Sequence, residues 1–497
     1  MSLQYTNFSR YIIENSQTHL TKTAVIADDA TITYGALAEA TKSFARKLHN
    51  KNIRPGDRVI ICLDECVEWV IAFMACNYIG VVPVLTSIKM GAKVLNEIID
   101  VSKAQAIIWG VHDREFAKTL SITAFDKVEV NSYGVGLDAY YKFDPDENVL
   151  WSTSSGTTGG KRKYIPHRHA SIWLGTQKVI GPFKVTEHSI MYTTAKLSFV
   201  YGFNELMLAL SNNATAIISN RVPVKDTIID IVSTHKVTHI WTTPTPVVHM
   251  VKNNTASDEL NTVVSLFCGG EPLPNTAAQK FQELYDVPVL NGHGMSEGMN
   301  IMCSQTPDDQ RLGTIGKPMP GVECQVRRPD GTLCEVDELG VFYVKDPSSA
   351  LYYYNNWARS KEVFQGEWIN TGDMCYQDNL GYFVYVCRND ELVKVNGLFV
   401  TPTEIEEVLI TNPAVDECVV TRCKNRFDLD EMEAYIVLRD PATTINDIKT
   451  FLALNIEEYK IPKTVKFVTD LPKTVTAKKI RNNQMIHEYY AEDATCQ

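Results

Sequence analysis

No Cys-x-x-Cys pair occurs among the twelve cysteines of this 497-residue chain. Cys62 with Cys66, and Cys418 with Cys423, lack a second ligand pair at zinc spacing, so a structural zinc site is not expected. Scattered single thiols predict a reducing, cytoplasmic compartment. Nor is there an excess of cations: 48 Lys and Arg stand against 59 Asp and Glu, a net charge of −11. That balance argues against nucleic acid or an anionic membrane as partner. The opening residues show no cationic-then-apolar signal pattern. The most apolar segment, Val70–Leu85, is interrupted by Asn77, Tyr78, Gly80 and Pro83. It is too short and too broken to span a bilayer, and predicts a buried helix followed by a strand. There is no short-period repeat, and no Gly-Lys-Ser/Thr at P-loop spacing.

What the chain has is length and alternation. Its length exceeds one core, and about three packing units are expected. Residues 22–35 alternate as a hairpin does. A helical period runs through Tyr34–His49, followed by strand Val59–Leu63, helix Glu65–Tyr78, strand Val81–Leu85, helix Ala92–Val101 and strand Ala106–Trp109. Further strands are expected at Ile190–Thr194, Ala214–Ile218, His239–Thr243, Ser265–Cys268 and Val287–Leu290, with helices between them. Strand–helix alternation predicts mainly parallel sheets covered on both faces, here two doubly wound halves. From about Arg311 the texture changes to strand, turn, strand, which suggests a small antiparallel barrel or sheet up to Val386. A compact α+β segment follows, in which Thr403 and Glu406 have capping-box spacing. The break at Arg388-Asn389-Asp390-Glu391 divides the chain into an N-terminal domain, 1–387, and a C-terminal lid, 388–497.

The most informative stretch is Ser152–Lys163, Ser-Thr-Ser-Ser-Gly-Thr-Thr-Gly-Gly-Lys-Arg-Lys. Glycines let backbone N–H groups converge, hydroxyls add donors, and Lys161, Arg162 and Lys163 add charge, a composition suited to polyphosphate. By composition alone a Ser/Gly linker beside a basic run fits as well. Four further stretches stand out: Cys268-Gly-Gly-Glu-Pro272; Asn291-Gly-His-Gly-Met-Ser-Glu297; Thr371-Gly-Asp373, which is expected to close a strand; and Leu471-Pro-Lys-Thr-Val-Thr-Ala-Lys478. A carboxylate such as Glu297 beside a hydroxyl can hold a Mg²⁺ that bridges phosphates. Asp373 can accept both hydroxyls of a ribose. Each is weak alone, since ordinary turns, caps and surface lysines share these patterns.

Their order along the chain resembles that of the adenylate-forming enzymes: acyl- and aryl-CoA synthetases, adenylation domains and luciferases. The resemblance spans nearly the whole length. Lys196–Phe203, Gly269–Pro274, Lys394-Val-Asn-Gly397 and Thr401-Pro-Thr-Glu404 look like benzoate–CoA ligase-like enzymes. The implied fold is α/β: a large N-terminal domain of two doubly wound sheets plus a small β-barrel, and a small mobile α+β C-terminal domain, with the active site between them. The resemblance sets Ser155, Gly156, Thr157, Thr158 and Gly159 on the phosphate loop. Glu297 falls on the Mg²⁺ glutamate with Ser296 beside it, and Gly270, Glu271, Pro272, Asn291 and Gly292 fall on the adenine position. Asp373 and Arg388 fall on the ribose contacts, Asp390 on the hinge, Gly397 by the pantetheine tunnel, and Lys478 on the lysine of adenylation. An acid pocket is implied at Phe199, Val200, Tyr201, Gly294, Met295, Asn300 and Ile301. Asn300 stands where benzoate-type enzymes tend to carry histidine beside the ring.

The implied activity is an ATP-dependent carboxylic acid–CoA ligase, with Mg²⁺ as cofactor, CoA as acceptor and an aromatic acid as substrate. The carboxylate displaces pyrophosphate from ATP, and the thiol of CoA then displaces AMP. The chain departs from the family pattern at Lys161-Arg162-Lys163, where Pro-Lys-Gly is usual, at Ala477 for glycine, and at Cys387 for glycine. Two alternatives stay open: an adenylation enzyme that loads a carrier protein on another chain and, prompted by the altered loop and Ala477, a non-catalytic nucleotide-binding paralogue. A homodimer is compatible with the resemblance.

Overall fold

The computed structural model describes residues 6–110, 122–126, 136–154, 162–252, 258–395, 398–424, 430–473, 480 and 485–490. They form two compact units. The first comprises residues up to 154, 163–324 and 344–369, and the second residue 162, 325–343 and 370 onward.

The first unit holds two sheets. One has six strands in the order Thr123–Asp126, Ala106–Trp109, Arg58–Cys62, Val82–Leu85, Asn148–Ser154, Lys163–Arg168. Its pairs are parallel except the last, where Asn148–Ser154 and Lys163–Arg168 run antiparallel. The other has nine strands, with Ser265–Cys268, His239–Thr242 and Ile190–Thr193 parallel at its centre and antiparallel pairs at both edges. Strands such as Ala106–Trp109 and Ser265–Cys268 are buried at every residue, the pattern of parallel strands covered on both faces. The doubly wound α/β architecture is therefore present.

The Val70–Leu85 expectation holds. Helix Val67–Tyr78 is buried at all its residues and is followed by strand Val82–Leu85. A helix with no exposed residue on any face is enclosed on every side, and here that includes the polar Glu68 and Asn77. Phe73 meets Phe203, ring centroids 4.8 Å apart, on helix Val200–Ser211. Helices belonging to the two sheets thus share one interior. The hairpin expected at 22–35 forms as Thr23–Ile26 with Thr31–Thr33, but it joins the nine-stranded sheet by pairing with Thr215–Ile217. Phe199–Phe203 is the start of a helix, with Phe199 as its N-cap.

In the second unit, Asp430–Leu438 is the central strand of three. It pairs antiparallel with Val415–Lys424 and parallel with Thr464–Phe467. Alternation splits its two faces. Met432, Ala434 and Ile436 pack with Ile405, Leu409, Ile448 and Leu452, whereas Tyr435 packs with Val419, Leu471 and Ile486. Helix Pro402–Leu409 starts two residues earlier than the Thr403/Glu406 spacing predicts. Thr401 and Glu404 form the capping box, with Pro402 in the first turn. Proline fits there because the first helical N–H has no intrahelical acceptor. Glu406 is used otherwise: its Oε1 accepts from the Val420 N–H at 2.8 Å.

Candidate functional site

In the first unit the site is built around one carboxylate. Strand Val289–Gly294 runs into a short 3₁₀ turn, Ser296–Gly298, and then returns as Ile301–Ser304. Met299 closes the reversal with φ +63°. Asn204, on helix Val200–Ser211, donates its amide to the Met299 carbonyl. Asn300 donates to the Gly175 carbonyl at 2.9 Å and accepts from the Ile301 N–H at 2.7 Å. The carbonyl of Glu297 accepts from the Ala350 N–H at 2.7 Å.

Glu297 is buried, and its Oε1 accepts the Tyr353 hydroxyl and lies 3.4 Å from Lys163 Nζ. Burial alone pushes its carboxyl up. The charge of Lys163 and the Tyr353 hydroxyl outweigh that, so it sits below the ordinary carboxylate range. A carboxylate ionised inside the protein needs positive charge and donors around it. No cluster of three or more His, Cys, Asp or Glu side chains able to hold a metal occurs among the described residues. A single ionised carboxylate nevertheless fits Mg²⁺, which draws most of its ligands from phosphate oxygens and water.

The expected phosphate-loop residues Ser155, Gly156, Thr157, Thr158 and Gly159 lie outside the described residues, as do Lys161, Gly397 and Lys478. The strands on either side of that loop are paired, with Ser154 opposite Lys163. This pairing starts the strand that brings Lys163, of the basic run, to Glu297. The same hairpin holds His167, buried, with Nε2 2.9 Å from Ser152 Oγ. Burial pushes this imidazole down to about 4, against a smaller upward pull from Glu297.

The expected adenine and acid positions adjoin. Cys268 pairs with Asn291 across neighbouring strands, so the Gly269–Pro272 turn begins beside Asn291-Gly292. Asn291 donates to the Thr314 carbonyl at 3.3 Å and accepts from the Gly292 N–H at 3.0 Å. Gly270 has φ +93°, a conformation that glycine adopts without strain. A Cβ on Gly292 would stand 2.8 Å from the Phe267 ring and 2.9 Å from the Cys303 carbonyl. Tyr201 lies 6.0 Å from Phe267, centroid to centroid, and donates its hydroxyl to the Thr242 carbonyl at 2.9 Å. Phe199 and Val200 open the same helix, and Gly294 pairs with Ile301 across the reversal that carries Met295. The turn before Phe199 is fixed by Glu65, which lies 2.7 Å from Lys196 Nζ and accepts from the Leu197 N–H at 3.2 Å.

In the second unit Asp373 and Arg388 are cross-strand partners, with Nη1 2.7 Å from Oδ1. Arg388 also donates to the Thr371 carbonyl at 3.1 Å. Thr371-Gly372-Asp373 lies inside strand Trp368–Gln377 and does not close it. Gly372, with φ +73°, relieves the local geometry, and a Cβ there would stand 3.0 Å from Arg388 Nη2. Asp390 follows in the turn closed by the Glu391 N–H to the Arg388 carbonyl, and its Oδ1 lies 4.0 Å from Arg388 Nε. Tyr353 and His167 were missed by sequence reasoning. The only signal was the aromatic run Tyr352–Tyr354 for the first, and none for the second.

A model of the AMP-binding enzyme family matches residues 13–354, and one of the AMP-binding enzyme C-terminal domain matches residues 404–478. Benzoate–CoA ligase of Thauera aromatica is 29% identical over 485 residues, covering 92% of this chain and 91% of that one. A benzoate CoA ligase structure from Burkholderia xenovorans superposes with TM-score 0.86 at 28% identity, over 95% of this chain and 98% of the other. An o-succinylbenzoate CoA synthetase from Bacillus subtilis, in complex with its acyl-adenylate intermediate, gives TM-score 0.88 at 25% identity, over 97% and 98%. With its doubly wound sheets, its buried turn glutamate and these matches along its length, the chain belongs to the AMP-binding enzyme family.

Proposed function

We propose that this chain is an ATP-dependent carboxylic acid–CoA ligase for aromatic acids, acting through an acyl-adenylate. The observation that carries the reading is Glu297: one carboxylate, buried and held ionised by Lys163 and Tyr353. A charged acid in that setting has a use if a polyphosphate and its cation come to it. Mg²⁺, when bound, neutralises charge on the phosphate oxygens. Further support comes from the Asp373–Arg388 pair as a ribose site and from the aryl-acid ligases among the relatives.

A carboxylate oxygen of the acid attacks the α-phosphorus of ATP, the bond to the β-phosphate oxygen breaks, and pyrophosphate leaves. The CoA sulfur then attacks the acyl carbon, the bond to the AMP oxygen breaks, and AMP leaves as the thiol proton is lost. In this reading Ser155–Gly159 hold phosphate and Lys478 meets the charge that grows on it. The lid begins at 388, turns about Asp390, and brings Gly397 to the pantetheine. Phe199, Val200, Tyr201, Gly294, Met295, Asn300 and Ile301 receive the acid. Cys62, Cys76, Cys268 and Cys387 are buried free thiols, which suits a reducing cytoplasm, where the enzyme works alone or as a homodimer. No helix among the described residues is long and apolar enough to cross a membrane.

The test is acid-dependent pyrophosphate exchange with a panel of aromatic and aliphatic acids, followed by AMP release with CoA or a carrier protein as acceptor. Exchange with benzoate-type acids and turnover with CoA are expected. Exchange without CoA turnover would move the assignment to a carrier-loading adenylation enzyme, and no exchange with any acid would remove it.

A further inference from the structure

Behind the Glu297 turn lies a buried polar cluster with no part in the chemistry described so far. Lys178, on helix His169–Ile180, forms an ion pair with Asp346, and both side chains are buried. Lys178 Nζ also donates to Ser348 Oγ at 3.0 Å. Ser348 is fully buried, and its Oγ has two acceptors in reach: Asp346 Oδ1 at 2.7 Å and the Gly298 carbonyl at 3.0 Å. The Ser348 N–H donates to Asp346 Oδ1 at 2.9 Å. The same helix holds the other side of the reversal, since the Gly175 carbonyl takes the Asn300 amide. Gly298 is the residue after Glu297, and the carbonyl of Glu297 is already held by Ala350, two residues past Ser348.

A serine hydroxyl has one proton. An ionised carboxylate is a stronger acceptor than a backbone carbonyl, so Asp346 left alone would take it. Lys178 opposes this, by neutralising Asp346 and by donating into the Ser348 oxygen. We propose that Ser348 is a positioning residue for Glu297, and that the Lys178–Asp346 pair frees its proton for the Gly298 carbonyl. The cluster thereby fixes the turn that aims the carboxylate at a phosphate-bridging divalent cation. This rests on the reading of Glu297 as the metal carboxylate. Outer groups that orient a metal ligand typically govern affinity by about 10- to 100-fold.

The experiment uses the full chain with ATP and Mn²⁺ as the probe, with the affinity of the metal–nucleotide site read by electron paramagnetic resonance. The KM for the acid and the thermal midpoint are measured beside it. Ser348→Ala is expected to weaken Mn²⁺ by about tenfold, with the acid KM changed less than twofold. Lys178→Met is expected to do the same. Lys178→Met with Asp346→Asn removes the competing charge, so the hydroxyl returns to Gly298 and the Mn²⁺ affinity recovers. If Lys178→Met alone does not fold, Ser348→Ala and the double variant carry the same contrast. Wild-type Mn²⁺ affinity in Ser348→Ala, or a double variant as weak as Ser348→Ala, overturns the proposal. Glu297→Gln separates the two levels. Unchanged Mn²⁺ affinity there removes the metal reading and the proposal with it, whereas a loss there with none in Ser348→Ala removes the proposal alone.

Discussion

Tyr353 donates its hydroxyl to the carboxylate of Glu297, and both side chains are buried. Tyr353 also packs on Phe364, ring centroids 5.2 Å apart, so Tyr353→Phe keeps the packing and removes only the donor. A hydrogen bond to a charged group contributes about 1.5–3 kcal/mol. The variant is therefore expected to raise the KM for Mg·ATP by about tenfold or more, with the KM for the acid unchanged. Steady-state kinetics with each substrate varied in turn check this.

Burial depresses His167 to about 4, against about 6.5 in an unfolded chain. The unfolded state therefore binds the proton first as pH falls, so the stability this residue contributes is complete above 6.5 and is lost between 6.5 and 4. The loss amounts to about 3 kcal/mol, because each pH unit between those two values is worth about 1.4 kcal/mol. Denaturant titrations at pH 7 and pH 5 should show the wild type weakening while His167→Gln, which has no proton to take up, loses less over that interval.

Lys478→Ala is expected to slow adenylate formation by about two to three orders of magnitude, the scale of removing one transition-state charge stabiliser. Thioester formation from supplied acyl-AMP should survive. Asp390→Pro, which fixes a backbone torsion in the turn after Arg388, should do the opposite and impair the thioester step more. Pyrophosphate exchange and single-turnover thioester formation resolve the two; equal losses in both steps would reassign these residues.

Gly292→Ala has no room. Its methyl would meet the Phe267 ring, Ser304 Oγ at 2.8 Å and the Cys303 carbonyl. Overpacking of this kind costs about 1–3 kcal/mol, read as a lower denaturation midpoint with an unchanged slope. The shifted Phe267 ring should also disturb Tyr201, so the KM for the acid rises.

What sequence reveals of this molecule follows the range over which its signals act. Strand Ser265–Cys268 and helix Val67–Tyr78 were legible because periodicity and apolar runs are local. The Thr23–Thr33 hairpin was legible as a hairpin, but its partner strand, Thr215–Ile217, lies far along the chain and nothing local names it. The capping box was misplaced because Thr401 and Thr403 both stand three residues before a glutamate; Pro402 in the first turn favours Thr401, and in the fold Glu406 is taken up by the Val420 N–H. Glu297 could be picked from its neighbours in sequence. Its supports, Lys163, Tyr353 and Ser348, come from segments before and after it, and only the folded chain brings them to one turn. Lys161, Arg162 and Lys163 read alike as a basic run, and it is strand pairing, Ser154 opposite Lys163, that brings Lys163 to Glu297.

The enclosed helix Val67–Tyr78 has a bearing on how the protein is made. A rod with no wet face has nowhere to rest until Phe203 and its helix have been synthesised. The emerging chain should therefore stay protease-sensitive and chaperone-bound past its first sheet, and gain resistance only once translation has cleared Ser211. Ribosome-stalled chains of graded length, challenged with protease, would show that threshold.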